Sequence, residues 1–318
     1  MPGGTPPAPI YGRVKRRGTR LKVGLDQVGT VRALFRYPVK SMLGERTESF
    51  FIGEDGPQGD RAFALRDVSA GGITSAKKWG DMFRLRAWYQ GDAEPGNLAA
   101  LRIDLGGGRS LRGDAGDLAR VLSGFLGREV VLERARPGER ATAIIDYRTA
   151  FGDLPLRRII PELKRIIPGL ELEGGELPAA GAQPVSKKAL RAGSFHDAEA
   201  LHILATGTLD HMAALGGAGS RFDVRRFRPN ILVDTGRETG FVEDRWVGGI
   251  LRVGDSVRAN EMRPSIRCVM TTHAQDDLAR DSAILRTIAD HHNIRLGVFA
   301  SVAATGRVRV GDPVFLEH

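Results

Sequence analysis

The run Arg263–Cys268 ends in the only cysteine of the 318 residues, Cys268. A single thiol cannot close an internal disulfide, so it can serve as a nucleophile, a ligand for a soft metal, or a small core residue. Its neighbours Ser265 and Arg267 add a hydroxyl and a cation, which favours the first two roles. Because buried structural cysteines are common, the thiol alone leaves all three roles open.

Two clusters in the first half of the chain combine cations with hydrogen-bonding groups. The turn Tyr37–Ser41 carries Lys40 and Ser41 directly after a proline, which makes a compact clamp for an anion. In the second cluster, Asp60 could orient Arg61 towards a ligand. Each cluster by itself also suits an ordinary surface turn or ion pair.

A third cluster, Arg225–Ile231, enters a strand and holds Arg228 and Asn230. Its guanidinium and amide groups suit phosphate and the amide-like edge of a heterocycle, although a polar strand entry explains them equally well. Taken with Cys268, the clusters supply what a pterin-type metal cofactor with a phosphate tail requires. The sulfur would bind the metal, the cations the phosphate, and the amide the ring.

Other kinds of site receive less support from the spacing of residues. His291 and His292 are adjacent, and His196 and His202 are six apart, whereas a helical pair of metal ligands has an i, i+4 spacing. Gly106–Gly108 predicts a hairpin turn rather than a phosphate loop. A cysteine-protease arrangement stays open on residue types alone, but no spacing favours it.

Composition is that of a globular chain of about two domains, with 42% hydrophobic and 27% charged residues. The formal net charge is +9, and aromatic residues make up 6%. Few aromatic side chains leave few platforms for stacking bases, so an anionic small molecule is a better fit than nucleic acid. We therefore expect no nucleic-acid partner, with a nucleic-acid-binding barrel as a weaker alternative.

The N-terminal segment predicts a disordered basic leader over residues 1–27. Met1–Pro9 is rich in Pro and Gly, and Arg13–Arg17 is basic, without the apolar core of a secretory signal. The chain has no run of roughly 18 apolar residues, the length that a membrane helix needs. We expect a cytoplasmic protein with no membrane partner, and one cysteine suits that reducing compartment.

Short strands punctuated by glycines and charged turns predict a β-rich first half with one helix, Asp114–Leu126. The predicted strands of this half are Val28–Phe35, Thr47–Ile52, Arg61–Arg66, Met82–Tyr89, Leu98–Leu105 and Glu129–Glu133. Prolines mark residues 136–188 as a connection between domains, with one helical piece at Leu154–Ile167.

The second half repeats this character and predicts two helices, Thr208–Leu215 and Asp281–His292. Its predicted strands are Ala200–Ala205, Asn230–Asp234, Ile250–Val253, Ser256–Glu261, Arg267–Thr271, Val298–Ala303 and Arg307–Val310. Many short strands with few helices predict an α+β, β-rich fold of barrel-like domains rather than a doubly wound sheet. The expected domains are 28–135 and 189–318.

The ordered clusters resemble a known family. Val31–Gly44 and Gly59–Phe63 are similar to the N-terminal β-barrel domain that precedes a MOSC domain. Arg226–Ile231, Arg267–Thr272 and Gly306–Pro313 resemble the MOSC domain itself. The family includes the mitochondrial amidoxime-reducing component and its bacterial relatives, and the C-terminal domain of molybdenum-cofactor sulfurases.

The resemblance implies an N-terminal MOSC-associated β-barrel domain, a C-terminal MOSC β-barrel domain, and binding of molybdenum cofactor (Mo-molybdopterin). Cys268 would be the metal ligand and catalytic residue. The implied cofactor-binding residues are Lys40, Ser41, Arg61, Thr208, Arg228, Asn230, Ser265 and Arg267. The implied activity is a molybdenum-dependent reductase of N-hydroxylated or N-oxide small molecules, supplied with electrons by a separate flavoprotein or ferredoxin. The alternative is a non-catalytic carrier of the cofactor or of sulfur that uses Cys268.

One segment departs from the family pattern. After Thr271-Thr272, family members often carry an Asp-Pro-x-Thr-Gly-like stretch, whereas this chain has His273–Asp277. The resemblance places this segment beside the metal site, so the chain's substrate preference and proton supply stay open.

Overall fold

The computed structural model describes residues 24–146, 150–155, 159–162 and 185–317. The first part holds the strands β1 Leu25–Arg36, β2 Glu45–Thr47, β3 Ser49–Gly53, β4 Gly56–Pro57, β5 Phe63–Asp67, β6 Gly72–Ile73, β7 Arg86–Tyr89, β8 Leu101–Asp104, β9 Ser110–Arg112, β10 Val130–Arg134 and β11 Thr142–Asp146, with the helix α1 Leu118–Leu126. The helical piece predicted at Leu154–Ile167 falls largely outside the described residues.

The second part begins with β12 Val185–Ala189 and contains two α-helices within the described residues. Its elements are β13 Leu201–Ala205, α2 Thr206–Gly216, β14 Ile231–Asp234, β15 Ile250–Val253, β16 Val257–Ile266, α3 Ala283–His292, β17 Arg295–Ala304, β18 Gly306–Arg309 and β19 Pro313–Glu317. Short 3-10 helices lie between several of them.

Seven strands close into a barrel in the order β14-β13-β17-β16-β15-β19-β1, and the pairing of β14 with β1 completes the ring. All the pairs are antiparallel except β13 with β14. All five residues of β13 are buried, as expected for a strand covered on both faces. The closed barrel and the β-rich composition of the elements confirm the predicted fold class.

The first strand of the chain is thus part of the barrel built by the second half. Val31 and Leu34 of β1 are buried in the barrel core, which also holds the fully buried Trp246. Leu25–Gln27, which the sequence assigned to the leader, pair with β19. Residues 1–23 lie outside the described part.

β2 pairs with β1. The remaining first-half strands form smaller sheets, and β5, β7, β8 and β10 contribute residues to a second core. The five-stranded sheet has the order β10-β5-β6-β11-β12, and β7-β8-β9 form a meander whose β8–β9 turn holds Gly106–Gly108. The helix α1 packs Leu118 and Leu122 into this core. A third sheet, β18-β3-β4, joins a second-half strand to the first half.

The strand predicted at Arg267–Thr271 is wrong. β16 ends at Ile266, Cys268 is extended, and Val269–Thr272 is a 3-10 helix. The hydroxyls of Thr271 and Thr272 donate to the carbonyls of Cys268 and Val269, at 3.0 and 2.8 Å. Such local bonds compete with a sheet ladder, and so the chain turns at the thiol.

Other differences concern the ends of elements. Of the predicted strand Met82–Tyr89, the strand in the structure covers Arg86–Tyr89, because Gly80–Arg84 forms a 3-10 helix. The final strand β19, which follows the turn at Gly311 and Asp312, was not predicted. Across the described residues, no helix combines the length and the apolar character that crossing a membrane requires.

Candidate functional site

A cavity of about 560 Å³ lies where the first-half sheets, the barrel and the connection meet. Residues from all three parts line it, although they lie far apart in the chain. Of the predicted site residues, the lining includes Lys40, Ser41, Arg61, Arg228, Asn230, Arg267 and Cys268. The structure therefore brings together the clusters that the sequence analysis singled out.

Lys40 reaches the cavity from the turn that follows β1. Its backbone N–H donates to the carbonyl of Phe63 at 2.8 Å, which fixes the turn against β5. Its ammonium donates to the Phe195 carbonyl at 2.9 Å and to Asp197 at 2.6 Å. Burial lowers the pKa of Lys40 to about 8, although the Asp197 carboxylate opposes this effect. Burial of this ammonium is therefore only partly compensated.

Asp60 connects the two halves of the cavity. One carboxylate oxygen accepts the backbone N–H of Tyr37 at 2.7 Å. The other accepts from the Arg61 guanidinium and, at 3.1 Å, from the Asn230 side-chain amide. Arg61 has a φ of 47°, in the left-handed region, and its carbonyl accepts from the N–H of Phe195. Asp60 thus positions a cation from one half and an amide from the other.

Two guanidinium groups lie over the Tyr37 ring. The Arg228 and Arg61 groups lie 4.1 and 4.8 Å from its ring centre, within the range of a cation–π interaction. Arg228 also donates to the Met42 carbonyl at 2.6 Å. Burial, followed by repulsion from Arg61, lowers the pKa of Arg228 to about 10. The ring therefore helps to hold two cations that repel each other.

Hydrogen bonds near the end of β16 hold Arg267, the residue before Cys268, in place. It donates to the Ser265 hydroxyl and to the Phe227 carbonyl, both at 2.7 Å. His202 Nδ1 lies 3.3 Å from the Arg228 carbonyl. In the tautomer that carries its proton on Nδ1, His202 Nε2 is an acceptor for Arg267 Nη1, which lies 3.3 Å away. Burial lowers the pKa of Arg267 to about 10.

Cys268 is partly exposed and packs, together with Ile266, against an apolar cluster that includes Ala150 and Phe151 of the connection. Its carbonyl accepts from the N–H of Thr271 at 3.1 Å as well as from the Thr271 hydroxyl. The turn that presents the thiol to the cavity is therefore fixed by its own backbone.

Two predicted cofactor-binding residues lie outside the cavity lining. Ser265 is fully buried and acts through Arg267, whose guanidinium donates to its hydroxyl. Thr208 is fully buried in α2, where its hydroxyl donates to the Glu243 carboxylate and lies 3.0 Å from the Gly240 carbonyl. Thr208 therefore ties α2 to the loop before β15.

The segment His273–Asp277, expected beside the metal, also lies outside the lining. It is a tight turn closed by the Gln275–Leu278 bridge. Asp276 accepts from Arg86 of β7 at 2.6 Å, and Asp277 accepts from Arg225 at 2.7 Å. The segment thus links the two halves of the protein, and Met270, two residues beyond the thiol, lines the cavity.

Sequence reasoning missed several lining residues, among them Lys77, His196, Asp197, His202 and Phe151. Asp197 is 157 positions from Lys40, so no spacing in the chain announces their contact. Burial, followed by repulsion from Arg61, lowers the pKa of His196 to about 3, and this imidazole is neutral.

Positive charge predominates around the cavity. Its lining includes seven Lys and Arg side chains, namely Lys40, Arg61, Lys77, Arg226, Arg228, Arg263 and Arg267, but two carboxylates, Asp197 and Glu199. Within the described residues, Arg267 Nε and His196 Nε2 are buried without a hydrogen-bond partner. An anionic ligand would offset this excess, because every buried cation gains from a nearby negative charge.

The fold and the cavity define a two-part β-barrel protein with a cationic, thiol-bearing site at its junction. A family model for the MOSC N-terminal beta barrel domain matches residues 28–133, and one for the MOSC domain matches residues 191–315. The chain is therefore a MOSC-domain protein with an N-terminal MOSC β-barrel domain. MOSC domains are known for their similarity to the C-terminal domain of molybdenum-cofactor sulfurases.

No curated protein matches the chain. Among the solved structures that are similar to it is the YuaD protein from Bacillus subtilis, with 10% sequence identity and a TM-score of 0.40, over 93% of this chain and 98% of that one.

Proposed function

We propose that the cavity binds molybdenum cofactor and that the protein uses it to reduce N-hydroxylated or N-oxide compounds. The observation that carries this proposal is the excess of buried cations around one partly exposed thiol. A pterin cofactor with a phosphate group brings negative charge, hydrogen-bonding edges and a metal that accepts a thiolate. Membership of the MOSC family supports the same ligand.

The donor set fits this cofactor. Lys40, Ser41 and Arg61 would hold its anionic groups from the first half, while Arg228 and Asn230 would do so from the second. Arg267 would add its unpartnered Nε–H, and Cys268 would be the protein ligand to the metal. When bound, the cofactor supplies two-electron redox chemistry and oxygen-atom transfer.

The overall reaction breaks the N–O bond of the substrate. The substrate takes up two electrons and two protons, and its oxygen leaves as water. The electrons come from a separate flavoprotein or ferredoxin. The chain's own groups neutralise charge and fix orientation, because Asp60, Tyr37 and Ser265 hold the cations in place before any ligand binds.

Turnover of benzamidoxime and of an N-oxide, with reduced methyl viologen as the electron donor, tests the reductase. Protein from cells that make molybdenum cofactor should reduce both compounds, and the Cys268→Ala variant should reduce neither. A wild-type preparation that contains molybdenum but shows no turnover would contradict the reductase and favour the carrier of cofactor or sulfur.

A further inference from the structure

One wall of the cavity comes from the connection between the domains. Ala150 and Phe151 line the cavity and are 3% and 5% exposed. They belong to an apolar cluster with Ala289 of α3 and Ile294. Cys268 packs against this same cluster. The thiol therefore has an apolar side as well as a cationic one.

This wall lies beside the Val269 side chain, directly beyond the thiol. Gly152 has a φ of 58°, and a Cβ at that position would lie 3.4 Å from a methyl group of Val269. The N–H of Leu154 donates to the carbonyl of Phe151 at 3.3 Å, which turns the segment back on itself. These contacts fix the Phe151 backbone beside the 3-10 helix that follows Cys268.

The cationic lining residues form a separate group. Lys40 and Lys77 share Asp197, while Arg61 and Arg228 share the Tyr37 ring. The apolar lining residues that share a cluster with the thiol are Ala150, Phe151 and Ile266. Cys268 packs beside this apolar cluster, while its neighbour Arg267 lines the cavity together with the other cations.

We infer that the cavity contains an apolar subsite beside Cys268, with Phe151 as its wall, for the flat, uncharged aromatic part of a small-molecule substrate. The cationic side chains would bind an anionic part of a ligand, so an uncharged ring would bind against the apolar lining instead. Buried aromatic side chains provide large contact areas and favour other rings in offset or edge-to-face arrangements. The reaction at this subsite rests on the proposed function, whereas the preference for an aromatic ring does not.

Alkylation of the single cysteine in cofactor-free protein tests the subsite directly. N-phenylmaleimide and N-methylmaleimide carry the same reactive group, and Cys268 is their only cysteine target. We expect wild-type protein to favour the phenyl reagent more strongly than glutathione does, and Phe151→Ala to lower that preference by about fivefold or more. The inference would be overturned if wild-type protein preferred the phenyl reagent no more than glutathione does. It would also be overturned if Phe151→Ala left the preference of the protein unchanged.

Two further variants separate a lost ring from a damaged fold. Phe151→Leu keeps an apolar side chain but no ring, so it should retain part of the preference. Phe315→Ala removes a ring that stacks with Arg252 outside the cavity lining, and it should leave the preference unchanged. An equal loss in Phe315→Ala would show that general destabilisation causes the effect and would overturn the subsite.

Molybdenum-loaded protein gives a second readout, the ratio of kcat/KM for benzamidoxime to that for acetamidoxime. Phe151→Ala should lower this ratio while molybdenum per chain stays constant. An unchanged ratio would count against the subsite. Loaded wild-type protein that reduces neither compound would contradict the proposed function, while the alkylation rates would still decide the subsite.

Discussion

Asp60 is a buried carboxylate that serves both halves of the cavity, since it accepts hydrogen bonds from Tyr37 N–H, Arg61 and Asn230. We expect Asp60→Asn to place an amide donor against at least one of these donors and to release Arg61 from its position. Molybdenum per folded chain should then fall by about tenfold, the effect of losing a charge-assisted hydrogen bond.

Asp114→Asn is the matched control for Asp60→Asn. Asp114 also pairs with an arginine, Arg112, but on the exposed surface. Metal content should be unchanged in this variant, and the melting temperature should show that both variants are folded. Full metal content in Asp60→Asn would refute the positioning role.

Lys40 makes anion binding by the cofactor-free protein depend on pH. Because burial lowers the pKa of Lys40 to about 8, the ammonium loses its charge as the pH rises through that value. Sulfate, whose own charge is constant in this range, should bind more weakly at pH 9.5 than at pH 7 by roughly tenfold. Calorimetric titration measures the affinity at each pH.

Variants of two lysines separate this effect from general changes with pH. Lys40→Met should bind sulfate weakly at both values and lose the step near pH 8. Lys78→Met removes an exposed lysine next to the lining residue Lys77 and should keep the step. A step near pH 8 that survives in Lys40→Met would assign the titration to another group.

The parts of the site that could be predicted from the sequence are those where one local run carries the chemistry. Lys40 and Ser41, or Arg267 and Cys268, are neighbours in the chain, and their residue types indicate an anion and a metal. His196 and Phe151 could not be found in this way, because they reach the cavity only through folding. Thr208 has a suitable type, but its hydroxyl is used within the fold.

Glu243 ties the start of α2 to the loop before β15, since it accepts from the Ala205 N–H at 2.6 Å and from the Thr208 hydroxyl. Burial raises the pKa of Glu243 from 4.5 to about 7, although these two bonds stabilise its charged form. Between these pH values the folded state keeps a proton that the unfolded state has released. Stability from this group is therefore complete below pH 4.5 and is lost as the pH rises to 7.

We expect Glu243→Gln to remove that pH dependence, which amounts to at most about 3 kcal/mol in the free energy of unfolding. Urea denaturation at several pH values from 4.5 to 8 measures it against wild type. The exposed Glu129→Gln variant should follow the wild-type curve. If the free energy of unfolding of the wild type does not fall relative to that of Glu243→Gln as the pH rises, Glu243 does not titrate in this way.

Most strands were predicted because their apolar residues stand between glycines and charged turns; Ile250–Val253, for example, was placed with its correct ends. The 3-10 helix after Cys268 was mistaken for a strand, since the hydroxyl-to-carbonyl bonds of Thr271 and Thr272 depend on the backbone conformation. Period and composition carry no information on such bonds.

The two halves of the molecule are joined by more than the cavity. β1 closes the barrel between β14 and β19, and β18 pairs with β3. This exchange of strands could not be predicted from the sequence, because neither β1 nor β18 differs in composition from a strand that stays within its own domain. As a result, residues of both halves that line the cavity share a continuous framework.

Gly56 lies at a junction of the halves where its backbone meets that of Ala200. It has a φ of 98°, and a Cβ there would lie 2.2 Å from the Ala200 carbonyl oxygen. We expect Gly56→Ala to lower the free energy of unfolding by about 3 kcal/mol or more, because both contacting groups are backbone.

Gly71→Ala is the matched control, since Gly71 also has a positive φ, 67°, but no atom lies within 4 Å of its Cβ position. This variant should lose only about 1–2 kcal/mol, the cost of the left-handed conformation. Urea denaturation measures both values, and equal losses would show that the contact with Ala200 contributes nothing.

The molybdenum and molybdopterin content per folded chain, after expression in cells that make the cofactor, tests the central claim most directly. The account predicts about one of each in wild-type protein, and molybdenum close to zero in Cys268→Ala, because the metal then loses its protein ligand. Wild-type protein that is folded, comes from cells in which a known molybdenum enzyme is loaded, and contains neither metal nor pterin would contradict it.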